Sequence, residues 1–93
     1  MNKNQSEPVL AKRSWGDAKV FQRSDLLDSK VLEIVLGEFE SHELEITDEG
    51  FKFLEQNFGI GFIVNWYFER YSRWKTREEV QSWWEERSDT ATY

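Results

Sequence analysis

The sequence predicts a mainly α fold, a small compact bundle of three to four helices with an aromatic-rich core, and three observations carry that prediction. Apolar residues recur at helical spacing from Ser24 onward. Helix-start signatures stand before residue 48 and before residue 77. Fifteen of the 93 residues are aromatic, and eight of them fall in the single stretch "GFIVNWYFERYSRWKTREEVQSWW", Gly61 to Trp84. A chain of this length buries about 60–65% of its unfolded surface. Rings that bury about 150–250 Å² each make such a core dense.

Residues 1–13 hold few apolar groups and the sole proline, Pro8, and read as a disordered tail. Residues 14–88 then form one globular domain. It opens with "SWGDAKVFQRS", whose Trp15, Val20 and Phe21 suit a short strand or an arm over the core. Leu32, Val35, Leu36 and Phe39 follow at i, i+3, i+4, i+7, and Leu27, Val31 and Ile34 widen the stripe, so a helix is expected near 25–40. Ser24 is its expected N-cap. The β-branched Val31, Ile34 and Val35, with Gly37, keep an α+β alternative open, in which "VLEIVL" and "LEIT" pair as a hairpin within 30–47. Leu44 and Ile46 alternate with Glu43 and Glu45, the pattern of a few extended residues.

Thr47, Asp48 and Glu49 start a helix over 48–58 with Phe51, Leu54 and Phe58 on one side, and "GIG" at 59–61 ends it. A third helix is expected over 62–74. At 100° per residue its apolar side chains sweep an arc of about 240°, far wider than the stripe of an ordinary surface helix. Thr76 to Glu79 matches a capping box and opens a fourth helix near 76–88, and residues 89–93 read as frayed. Phe51, Leu54, Phe58, Phe62, Trp66, Val80 and Trp84 are the expected core.

The formal net charge of −6 is unevenly placed. Residues 1–24 carry five bases against two acids, residues 25–69 eleven acids against two bases, and residues 70–93 five of each. Within the acidic part, Glu38, Glu40, Glu43, Glu45, Asp48 and Glu49 occur with no base among them. A block of that sign either solvates a face or docks on a basic partner, with mimicry of nucleic acid as a special case. A second constellation interleaves Arg70, Arg73, Lys75 and Arg77 with Tyr71 and Trp74, the composition that single-strand binding uses. The stretch "FLEQNFGIGFIVNWYFER" has the outline of a helix-turn-helix. Glu55 stands where a small residue is needed, however, and the second helix offers bulky apolar groups rather than base-reading polar ones.

Catalytic and cofactor chemistry finds no footing. There is no cysteine and one histidine, His42, too few for a zinc centre or a triad. "GIG" lacks the spacing of a phosphate loop, and "EITDEG" lacks that of a calcium loop. "MNKNQSEPVLAKR" has no apolar signal core, and no run approaches the roughly 18 apolar residues of a membrane span. The sequence thus predicts a cytoplasmic, non-enzymatic regulator or inhibitor without cofactor. It would bind a basic surface on a protein partner through residues 38–49, the alternative being a nucleic-acid-binding module at 70–77. The wide arc on the third helix adds homodimerisation as an expectation.

Overall fold

Thr47 shows how this sequence joins local structure to tertiary structure. Its hydroxyl accepts the Gly50 N–H at 3.0 Å, capping a helix, and donates to the carbonyls of Val9 and Leu10 at 2.8 and 3.1 Å. The computed structural model describes residues 8–90. In chain order its elements are β1 (Ala11–Arg13), β2 (Val20–Phe21), α1 (Arg23–Leu26), α2 (Ser29–Glu40), β3 (Leu44–Ile46), α3 (Asp48–Phe58), α4 (Ile60–Arg70) and α5 (Arg77–Thr90). The strands form one antiparallel sheet in the order β2-β1-β3, with Lys12 opposite both Val20 and Glu45. The fold is mainly helical, with this small sheet beside a compact aromatic cluster.

The expected tail boundary at residue 13 does not hold for the described part of 1–13. Leu10 and Ala11 are buried, and Ala11–Arg13 is the middle strand of the sheet. Composition hid it because three residues suffice, paired on one side with β2 and on the other with β3. Residues 1–7 and 91–93 of the two expected loose ends lie outside the described residues, while 89 and 90 still belong to α5.

The helix expected over 25–40 is divided in two. Asp28 turns its carboxylate onto the Lys30 N–H at 2.9 Å and becomes the N-cap of α2, so α1 stops at Leu26 and Ser24 caps neither helix. An aspartate that bonds the backbone locally favours a cap over a helix interior. The hairpin alternative is overturned: "VLEIVL" lies within α2, and β3 pairs with β1 instead. Burial of Leu32, Val35, Leu36 and Phe39 on one face outweighs the β-branched residues. Gly37 lies inside α2, where an added Cβ would meet only the Tyr71 hydroxyl, at 3.6 Å. Gly37→Ala should therefore raise stability by about 0.5–1 kcal/mol, read from the urea midpoint, and a loss would contradict that packing.

Gly59 is both the C-cap of α3 and the N-cap of α4, with φ 82° and ψ 142°, so one residue turns the corner. α4 spans Ile60–Arg70 rather than 62–74, because Tyr71 is extended and the chain from 71 to 76 folds back over the core. Tyr71 and Trp74 therefore reach the cluster from a loop. At α5 the capping box is present: Glu79 Oε1 accepts the Thr76 N–H at 3.1 Å and Thr76 Oγ1 accepts the Glu79 N–H at 3.2 Å.

Trp84 is the centre of the cluster. It is wholly buried, and its ring lies 4.9 Å from Phe51, 5.7 Å from Phe39 and 6.0 Å from Tyr67. Of the expected core, Phe51, Leu54, Trp66, Val80 and Trp84 are buried and Phe58 is partly buried. Phe62 is the exception at 48% exposure: it lies on the outer side of α4 and touches Phe58, at 5.9 Å between rings. Of the rest of the wide arc, Ile63, Val64, Trp66 and Tyr67 are buried within the chain, while Phe68, Tyr71 and Trp74 are partly buried.

The Tyr67 hydroxyl donates to the Leu36 carbonyl at 2.9 Å, tying α4 to α2. Burial, reinforced by Tyr71 and opposed by Arg87, raises its pKa well above the ordinary 10.0. The folded state thus holds the phenolic proton more tightly than the unfolded chain does. This contribution is complete below the unfolded value and declines as pH rises past it toward the folded one. Urea unfolding should show a stability loss above pH 10 that Tyr67→Phe diminishes, and an identical alkaline loss in that variant would contradict the assignment.

Candidate functional site

The six carboxylates of the acidic block do not share one fate. Glu38 receives Arg13 in a two-point ion pair at 2.9 and 3.0 Å, both side chains 17% exposed, which clamps β1 onto α2. Glu40 is buried and pairs with Arg73, which holds the 71–76 loop against the end of α2. Glu43 and Glu45 are exposed, alternating with the buried Leu44 and Ile46 of β3. Asp48 and Glu49 stand in the first turn of α3, where negative charge suits the helix dipole, and Asp48 lies 3.9 Å from Lys52. Glu43, Glu45 and Glu49 form no ion pair among the described residues. The structure thus brings four of the six to the surface, on and beside β3, and uses two inside.

His42 sits in the turn before β3 with φ 68°, its Nε2 3.4 Å from a guanidinium nitrogen of Arg87. Among the described residues, no group of three or more histidines and carboxylates is placed to hold a metal ion.

The basic quartet is largely engaged within the fold. Arg70 lies 4.7 Å over the Trp66 ring and 3.4 Å from Glu33. Arg73 lies over Tyr71 and Trp74 at 5.6 and 5.1 Å while pairing with Glu40. Arg77 donates twice to Asn65 Oδ1 at 3.1 and 3.0 Å, and covers Phe68. Lys75 alone of the four has no side-chain partner among the described residues. Tyr71 and Trp74 pack against the core, and α4 turns inward the side chains a recognition helix would present. Arg73→Ala should therefore act on stability. Removing one partner of a buried pair costs about 3–5 kcal/mol, and screening at the half-exposed Arg73 lowers the expectation to about 2 kcal/mol. A urea midpoint unchanged in Arg73→Ala would contradict this role.

Two surface clefts lie among the described residues. One, of about 350 Å³, is lined by Glu55, Ile60, Glu85, Ser88 and Asp89. The other, of about 190 Å³, lies between the start of β1, α1 and α3, and is lined by Pro8, Leu10, Arg23, Glu49, Lys52, Phe53 and Gln56. No spacing rule joins residues so far apart in the chain, and the internal roles of Arg13 and Arg73 are equally invisible in sequence. Only the alternation of Leu44 and Ile46 with Glu43 and Glu45 announced which acids would face outward. No family model, curated protein or solved structure matches the chain.

Proposed function

We propose that this chain is a non-enzymatic binding protein that captures a basic surface on a protein partner, through Glu43, Glu45, Asp48 and Glu49 around β3. The observation that supports it most is the asymmetry between the two charged constellations. The acids that remain after Glu38 and Glu40 are engaged all lie on or next to one strand, whereas three of the four bases at 70–77 are tied up within the fold. Carboxylates at such a surface steer the encounter and fix register with arginine and lysine across the interface. No helix of the described residues is long and apolar enough to cross a membrane.

The rival, a nucleic-acid-binding module at 70–77, is left with Lys75 as its unengaged cation. Affinity capture from the native host, with and without nuclease and at rising salt, separates the two. Capture of one nuclease-resistant protein, weakened by salt and lost when Glu43, Glu45 and Glu49 are reversed to lysine, is the expected result. Recovery of nucleic acid alone, strengthened by the same reversal, would overturn it. Displacement of nucleic acid from the captured partner would mark the special case of mimicry. Whether binding inhibits or assembles that partner is then read from the partner's own activity.

A further inference from the structure

The cleft of about 350 Å³ lies where α3, the first residue of α4 and the end of α5 meet. α5 is held there by Trp84, whose indole N–H donates to Glu55 Oε2 at 2.8 Å. Glu85, Ser88 and Asp89 then stand at i, i+3 and i+4 and line the cleft from one face of α5. Gly59 turns the chain so that the partly buried Ile60 adds an apolar wall. The volume falls within the range of sites that take a ligand, about 300–1,000 Å³.

The lining carries three carboxylates and no cation. The bases nearest to it in the chain are used elsewhere: Lys52 pairs with Asp48, and Arg87 lies over Phe39 and Trp83 with His42 at 3.4 Å. Glu55 is partly buried, yet its partner is the neutral indole, and it forms no ion pair among the described residues. Glu85 likewise meets a neutral donor, the Gln81 amide, at 3.0 Å. A partly desolvated carboxylate without a cation is unfavourable, and a cation entering the cleft relieves it. Arginine suits the arrangement better than lysine. Its fork bonds two carboxylates at once, its guanidinium is the more weakly hydrated cation, and its apolar stem matches Ile60.

We propose that this cleft receives an arginine side chain of the partner, its guanidinium paired with Glu55 and Glu85. This rests on the preceding reading that the partner presents a basic protein surface. The test titrates Nα-acetyl-argininamide into the isotope-labelled chain, with the Trp84 indole N–H signal, bonded to Glu55, as reporter. That signal and the Ser88 amide should shift saturably with a Kd of about 1 mM, while the exposed Trp15 indole stays still. Glu85→Gln, a change at an exposed position, should weaken binding about two- to fivefold. Nα-acetyl-lysinamide should bind the native chain more weakly by a similar factor. The variant with Glu43, Glu45 and Glu49 reversed to lysine should bind the arginine compound within about twofold of the native chain. Shifts confined to residues 43–49 and lost in that variant would overturn the cleft and leave acidic capture standing. A Trp84 signal that does not shift, equal affinity in Glu85→Gln, or equal affinity for the lysine compound would also overturn it. Acidic capture is read separately, from the affinity of the captured partner itself.

Discussion

Trp84→Ala should cost about 3–5 kcal/mol, the loss expected for a large ring removed from a closed core. The ring is wholly buried against Phe39, Phe51, Tyr67 and Trp83, which come from α2, α3, α4 and α5 respectively, so its cavity would open at the junction of four helices. The indole N–H also donates to Glu55 Oε2 at 2.8 Å, and its removal leaves that carboxylate without its donor. Against a total of about 5–15 kcal/mol, the variant has little stability left. Trp84→Phe keeps most of the ring and loses the hydrogen bond, so about 1–2 kcal/mol is expected there. Urea unfolding of the three proteins provides the comparison, and a loss below about 1 kcal/mol in Trp84→Ala would show that the cluster is not centred on this residue.

Gly50→Ala should be the second severe change, costing about 2–3 kcal/mol even though alanine favours helix. Gly50 stands in the first turn of α3, where an added Cβ would collide with the Leu10 carbonyl oxygen and lie 2.7 Å from the Ile46 side chain. That carbonyl is the acceptor of the Thr47 N–H at 2.9 Å and of the Thr47 hydroxyl. Relief of the collision therefore separates β1 from the start of α3, and the third strand loses its anchor. Gly37→Ala is the internal control, because the same substitution in α2 meets only the Tyr71 hydroxyl at an ordinary contact distance and should be stabilising. If both alanines shift the urea midpoint in the same direction, the close approach of α3 to β1 is wrong.

The helices were legible in the sequence wherever a cap and a stripe agreed. Thr47 and Thr76 capped as their spacing required, and Leu32, Val35, Leu36 and Phe39 faced inward together. The misreadings arose where a tertiary partner decided the local structure. Ala11–Arg13 is a strand because β2 and β3 flank it, and nothing within "PVLAKR" announces them. α4 ends early because Arg73 is drawn to Glu40, far away in sequence, and Trp74 packs on Trp83 of the next helix at 5.5 Å between rings. The acidic surface was half legible for the same reason. Composition gave the sign of the charge and alternation marked Glu43 and Glu45 as outward, while only the fold showed Glu38 and Glu40 taken up by their arginine partners.

The proposal that the surface around β3 does the binding is tested most directly by comparing two charge reversals for affinity to the captured partner. One replaces Glu43, Glu45 and Glu49 with lysine, and the other replaces the equally exposed Glu69 and Glu86. Three reversals at roughly 1 kcal/mol each should weaken binding about a hundredfold. The Glu69 and Glu86 variant should bind like the native chain. Equal affinity of both variants and the native chain would show that the partner is held elsewhere.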